Sequence, residues 1–176
     1  MKNKMMIAML AIGSTLATTH AFAAAGTVNF NGNILDSACD VDVASQNQVV
    51  VLGDYYKTEF PTTGARTAAT QFNIVLKNCP VTVTSAKVRF DGTPDATNAS
   101  LLAIDSSAAG AATGVAINLM TADKADLPLH GSNSYSYVLS STADNTLSFY
   151  AQYISTAATV TAGQANSVAN FSVIYN

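Results

Sequence analysis

Short runs of alternating apolar and polar residues recur along this 176-residue chain, and clusters of Gly, Asn, Asp and Ser separate them. In residues 70–77 (TQFNIVLK), for example, Phe72, Ile74 and Leu76 fall on one face. This two-residue period is typical of half-buried β-strands, and long helical periodicity is absent. The pattern predicts an all-β sandwich or barrel, with strands over residues 48–52, 70–77, 86–90, 101–105, 115–121, 134–140, 146–154 and 167–175.

Strand patterns also lie near both ends of the chain. In residues 26–39 (GTVNFNGNILDSAC) one face carries Val28, Phe30, Gly32 and Ile34. The stretch ANSVANFSVIYN runs to the C-terminus, and one of its faces carries Ala169, Phe171, Val173 and Tyr175. A glycine inside a strand suggests the close approach of another backbone. Because strand edges pair with other chains unless something covers them, both segments predict a partner.

Residues 1–23 have the pattern of a secretory signal peptide. Lys2 and Lys4 precede a short apolar run at residues 5–12, and Ala21-Phe22-Ala23 fits the small-residue cleavage site. The apolar run is too short to span a bilayer. We therefore expect cleavage after Ala23, with Ala25 as a second possible site, and export without bilayer insertion.

The two cysteines fit the same compartment. Cys39 and Cys79 both follow strand-like runs, and neither belongs to a CxxC pair. In an oxidising compartment this usage favours one structural disulfide over a free nucleophilic thiol or a metal ligand.

The sequence contains no motif typical of an enzyme, a metal site or a nucleic-acid interface. His130 is the single histidine outside the predicted signal peptide, so a His/Cys metal cluster cannot be assembled. No GxSxG motif occurs, and Asp123 and Asp126 are better interpreted as a solvated turn than as an acid/base pair. The scattered charges, with a formal net charge of −3, argue against nucleic acid. We expect no catalytic residue, metal or cofactor.

The tyrosines leave a different function open. Tyr55, Tyr56, Tyr135 and Tyr137 could line a sugar-binding surface, although ordinary packing is the more common role. One alternative is therefore a self-contained secreted β-sandwich that binds a ligand or carbohydrate. A more distant one is a disulfide-bonded periplasmic enzyme.

Several stretches together resemble the pilin subunits of chaperone–usher fimbriae, particularly type 1 major subunits. They are GTVNFNG before Cys39, QFNIVLKNC ending at Cys79, SSAAGAATGVAINL and FYAQYIST. The penultimate Tyr175 and the upstream Gly163 resemble the family's chaperone-recognition signature. The predicted N-terminal extension, residues 24–38, is shorter than in the familiar type 1 major pilin. No second, lectin-like domain is present, which argues against a tip adhesin.

The resemblance implies an incomplete immunoglobulin-like β-sandwich that lacks its final strand. A donor strand from another subunit would complete it, after a periplasmic chaperone has lent one and an outer-membrane usher has directed the exchange. The implied domains are a signal peptide (1–23), a donor-strand extension (24–38) and a pilin domain (39–176). The donor residues would be Val28, Phe30, Gly32 and Ile34. The acceptor groove and chaperone-recognition residues would be Gly163, Ala169, Phe171, Val173 and Tyr175. The product would be a head-to-tail fibre on the bacterial surface.

Overall fold

The strand pattern of the sequence folds into two antiparallel sheets in a computed structural model, which describes residues 26–32, 34, 38–131 and 135–176. The predicted signal peptide at residues 1–23 lies outside the described residues. The chain divides into two units, Met1–Ile34 and Leu35–Asn176. Within the described part of the first unit, residues 26–32 and 34 are exposed and form no helix or strand. None of the described helices is long and apolar enough to cross a membrane.

The second unit contains the regular structure. A short α-helix, α1 (Val43–Gln46), and a 3-10 turn at Lys57–Glu59 precede most of the strands. The strands are β1 (Asp40–Val41), β2 (Thr70–Lys77), β3 (Ser85–Gly92), β4 (Leu102–Ala103), β5 (Val115–Met120), β6 (Tyr137–Val138), β7 (Asn145–Ser155) and β8 (Ala169–Tyr175).

The strands form one sheet in the order β1-β2-β7-β5-β4 and a second in the order β6-β3-β8. All of these neighbours pair antiparallel. The predicted all-β sandwich is therefore confirmed. The predicted strand at residues 48–52 is wrong, because the structure assigns no strand there.

The core lies between the two sheets. Ile74 and Leu147 of the larger sheet are buried, and Val88 and Phe90 of β3 are buried on the facing side. The Phe149 ring connects the layers, with its centroid 5.6 Å from that of Phe72 and 5.3 Å from that of Phe90. Because protein interiors are closely packed, ring contacts of this kind leave little freedom for the sheets to shift.

The predicted disulfide is present between Cys39 and Cys79 and closes a sequence separation of 40 residues. Both cysteines are buried. The bond joins the residue before β1 to the loop after β2, so the start of the second unit is covalently attached to the sandwich. In the loop-entropy description, a closure of this length restricts the unfolded chain by about 4 kcal/mol.

Candidate functional site: the open side of β8

Strand β8 is an edge strand whose inward face is incompletely covered. It pairs with β3 on one side and with no described strand on the other. Its inward side chains are half-buried at Ala169, Phe171, Val173 and Tyr175. The β3 residues directly opposite are much better covered, since Val88 is 2% exposed and Phe90 is 5% exposed. Apolar side chains are therefore less buried on the edge strand β8 than on its neighbour β3.

Residues 47–55 provide a second unpaired stretch of backbone. They connect α1 to the 3-10 turn and alternate in burial, with Val50 and Leu52 half-buried and Val49 and Val51 exposed. Beyond Asn47, the C-cap residue of α1, their backbone makes no hydrogen bond to the backbone of any described residue. The Gln48 side-chain amide attaches the segment to β2 by donating to the Asn73 carbonyl oxygen at 3.1 Å. The side chains of residues 48–52 alternate as predicted. These residues do not form a strand, because no described backbone pairs with theirs.

A cavity of about 1050 Å³ is lined by both residues 45–55 and residues 160–171. We call this cavity the β8 groove. Its floor is apolar and comes largely from the inner face of the larger sheet, through Phe72, Leu102, Ile117, Leu119, Ala151 and Tyr153. An apolar floor between two unpaired backbone segments can accept an extended chain that supplies apolar side chains at every second position.

The predicted acceptor residues lie in two regions of the fold. Gly163, Ala169 and Phe171 line the β8 groove. Val173 and Tyr175 instead pack at the margin of the main core, farther along β8. The Tyr175 hydroxyl donates to the Cys39 carbonyl oxygen at 3.3 Å, and burial raises the pKa of this phenol. Tyr175 thereby connects the end of β8 to the disulfide region.

Gly163 occupies a position where a side chain does not fit. A Cβ atom there would overlap the Gly110 carbonyl oxygen and the backbone of Ala111 and Ala112. The adjacent Gln164 accepts a hydrogen bond from the Ala112 amide at 2.8 Å. The glycine therefore allows the segment before β8 to lie directly against residues 110–112, and this contact shapes one border of the β8 groove.

The predicted donor residues belong to the first unit. Val28, Phe30 and Ile34 are 74%, 91% and 101% exposed, respectively. A Cβ atom on Gly32 would meet no atom within 4 Å. Large apolar side chains at such exposure are unusual in a soluble domain unless they mark an interaction site.

The polar residues considered for catalysis are engaged in local contacts. Asp123 pairs with the Thr121 hydroxyl, and Asp126 pairs with Arg66 at 3.0 Å. His130 Nδ1 lies 2.9 Å from Asp91 Oδ1, and this contact is the main reason that the pKa of Asp91 is lowered. No group of His, Cys, Asp and Glu among the described residues could hold a metal ion.

Of the four tyrosines considered for sugar binding, Tyr56 is 80% exposed and the other three make ring contacts. Tyr55 packs edge-on against Tyr153, with centroids 6.1 Å apart, beside the β8 groove. Tyr135 packs against Tyr137, and Tyr137 in turn contacts Phe149 of the core at 5.3 Å. Burial raises the pKa of the Tyr137 phenol, whose hydroxyl donates to the Ser148 carbonyl oxygen at 2.6 Å. Tyr137 and Tyr153 therefore contribute to packing.

The chain is similar in sequence to fimbrial subunits over nearly its whole length. Residues 28–176 match the family described as Fimbrial protein. The A chain of the type-1 fimbrial protein of Escherichia coli strain K12 is 38% identical over 99% of this chain and 100% of that protein. The S-fimbrial protein subunit SfaG of Escherichia coli O6:K15:H31 is 37% identical over 93% of this chain and 90% of that protein.

Solved structures show the same fold. The P pilus rod subunit PapA aligns with a TM-score of 0.67 at 23% identity, covering 80% of this chain and 100% of that one. A subunit from the structure of a chaperone-usher pilus aligns with a TM-score of 0.66 at 26% identity, covering 90% and 100%. These neighbours have the immunoglobulin-like pilin fold. The chain belongs to the fimbrial protein family.

Proposed function

We propose that this chain is a structural subunit of a chaperone–usher fimbria, and that its β8 groove binds the N-terminal segment of another subunit. The incomplete burial of β8 carries the proposal. Its inward side chains are half-buried, although Ala86, Val88 and Phe90 opposite them on β3 are almost fully covered. One additional strand alongside β8 would bury these side chains and satisfy the unpaired edge.

Residues 28–34 have the length and pattern that such a strand requires. They number seven, as does β8, and their apolar side chains recur at every second position. Burying Val28, Phe30 and Ile34 would contribute about 1.5–3 kcal/mol each, and each backbone hydrogen bond would add about 0.5–1.5 kcal/mol. The sum over the strand is sufficient for a very stable junction.

Gly32 separates the apolar donor side chains. At this position the groove needs to accommodate only backbone, so the strand can approach its floor closely. The same glycine weakens the segment as an isolated strand, because glycine loses more conformational entropy on ordering than other residues do. The segment therefore gains most of its order when it binds.

Donation from each subunit to the next makes a head-to-tail contact. Such heterologous contacts produce open filaments rather than closed rings. Before assembly, a periplasmic chaperone would cover the β8 groove with a strand of its own, and an outer-membrane usher would be the place of exchange. In this proposal residues 1–23 are the signal peptide, 24–38 the donor extension and 39–176 the pilin domain. The subunit passes through the periplasm to the cell-surface fibre and has no enzymatic role.

A single charge in the donor segment tests the proposal. Phe30→Asp should abolish incorporation into fibres, because a carboxylate would enter an apolar groove, while leaving chaperone binding intact. Val81→Asp is the control, since it places the same carboxylate at another highly exposed apolar side chain that lies outside the segment. Normal fibre assembly by Phe30→Asp would contradict the proposal, as would a stable monomer whose residues 28–34 are folded into its own groove.

A further inference from the structure

The chain contains one Asn-Gly pair, Asn31–Gly32, and the pair lies between the proposed donor residues Phe30 and Ile34. Both residues are exposed, and a Cβ atom on Gly32 would meet nothing within 4 Å. The described residues provide no backbone hydrogen bond to either residue. An asparagine followed by glycine is chemically vulnerable because no side chain shields the next backbone nitrogen, and glycine permits the rotation that ring closure requires.

We propose that Asn31 deamidates spontaneously in the unassembled subunit and that its β-aspartyl product cannot act as a donor strand. The Gly32 backbone nitrogen loses its proton and attacks Asn31 Cγ. A C–N bond forms, the side-chain amide leaves as ammonia, and a five-membered succinimide results. Water then opens the ring at one of its two carbonyls, giving either an ordinary aspartate or a β-aspartyl linkage. The reaction is a hydrolysis and needs no oxidant or enzyme.

Asp91–Gly92 provides an internal comparison, because an Asp-Gly pair can close the same ring by loss of water. This pair lies in β3, where Asp91 is opposite Asn170 and Gly92 is opposite Ala169. The Asp91 carboxylate also accepts from Arg89 Nε at 3.0 Å and from Arg89 Nη2 at 2.8 Å. Ring closure there would require the paired backbone to open first, so we expect Asp91–Gly92 to be protected.

The consequence for assembly rests on the proposed function. Asn31 is on the strand face opposite Phe30, so conversion to an ordinary aspartate preserves the apolar face. A β-aspartyl linkage instead adds one atom to the backbone. It would displace Ile34 relative to Phe30 by about one third of the 3.3 Å rise per residue, so the two halves of the segment could not share one register in the groove. Once inserted, a correct strand would be protected by its pairing, as Asp91–Gly92 is.

The chemistry is tested by incubating the purified unassembled subunit and intact fibres at mildly alkaline pH. Peptide mapping by mass spectrometry would follow Asn31 and Asp91, and labelling by an isoaspartyl methyltransferase would detect the β-aspartyl product. Asn31 should convert at least about tenfold faster in the subunit than in the fibre, because pairing adds a local opening step. Asp91 should remain unchanged in both. Equal rates in the two samples, or no conversion at Asn31, would overturn the proposal.

The effect on assembly is tested with Asn31→Gln. A glutamine side chain forms the corresponding six-membered imide much more slowly than asparagine forms the five-membered succinimide. The donor activity of each variant is expressed relative to its own freshly purified sample. After incubation, the wild type should lose donor activity in proportion to its β-aspartyl content, while Asn31→Gln retains it. Freshly purified Asn31→Asp, used before its own Asp-Gly pair closes the ring, reports the effect of charge alone. Full donor activity of the β-aspartyl fraction would overturn the proposal that the β-aspartyl product cannot act as a donor strand. Fibres that assemble without residues 28–34 would overturn the proposed function and the proposed effect of deamidation on assembly. They would not bear on whether Asn31 deamidates.

Discussion

At the scale of single residues, glycines serve different purposes that the sequence does not distinguish. Gly114 has a φ of 75°, in the left-handed region that favours glycine. Gly163 has no such backbone angle, and it is required because the backbone of residues 110–112 lies against it. The resemblance to pilins placed Gly163 in the acceptor and chaperone-recognition region. The backbone contact could not be predicted, because it depends on a segment that is distant in the sequence.

Gly163→Ala should destabilise the subunit. Its added methyl group would overlap backbone atoms rather than the end of a flexible side chain, so we expect the free energy of unfolding to fall by about 1–3 kcal/mol. Gly32→Ala is the control, because its methyl group would meet nothing within 4 Å in the isolated chain. Urea unfolding of the purified subunit measures both. Equal stabilities for Gly163→Ala and the wild type would show that the contact is easily relieved.

The Asp126 carboxylate accepts hydrogen bonds from two side chains. It receives two hydrogen bonds from Arg66, at 3.0 and 3.1 Å, and one from the buried Asn118 at 2.8 Å. The Arg66 hydrogen bond is the main reason that the pKa of Asp126 is lowered below 3.8. A carboxylate with a lowered folded-state pKa contributes stability above its usual pKa and loses this contribution as the pH falls through the lowered value.

Asp126→Asn should therefore be less stable than the wild type at neutral pH. The difference should be at most about 1 kcal/mol, because the ion pair is largely exposed to solvent. It should disappear as the pH falls well below 3.8, the unperturbed value. Unfolding measured across this acidic range provides the test. A difference that does not change with pH would mean that the charge of Asp126 is unimportant.

At the scale of elements, alternation of side chains predicts a strand only where the backbone also has a partner. Residues 70–77 were predicted as a strand and form β2 with the same limits, because β7 and β1 flank them. Residues 48–52 alternate equally well but are not a strand, because no described residue pairs with either side of their backbone. Their side chains alternate because Val50 and Leu52 are half-buried and Val49 and Val51 are exposed.

Amide hydrogen exchange should therefore distinguish residues 47–55 from β2. In the unassembled subunit, amides in the segment should exchange rapidly and those of β2 slowly, because only β2 is in a ladder. Binding of a peptide with the sequence of residues 26–34 should slow exchange in the segment and along β8. A peptide carrying Asp in place of Phe30 is the matched control. Unchanged exchange with the natural peptide would contradict strand insertion.

At the scale of the whole second unit, the sequence predicts a two-layer β fold but not how its layers are covered. Strand β5 (VAINLM) is buried throughout, although alternation predicts one exposed face. Its outer face is covered because Leu101 packs against Ala116 and Ile154 there. Strand β8 shows the reverse, since the face predicted to be buried is only half-covered. Neither departure can be predicted from strand periodicity, because each depends on which tertiary neighbour is present.

In the proposed fibre, residues 28–34 of one subunit fill the β8 groove of another. Site-specific photo-cross-linking in fibres assembled from isotopically light and heavy subunits tests this arrangement most directly, with a photoreactive phenylalanine derivative in place of Phe30. We expect light–heavy cross-links from position 30 to peptides that line the groove, within residues 47–55 or 160–171. Cross-links confined to a single subunit, or reaching a neighbour outside the groove, would contradict it.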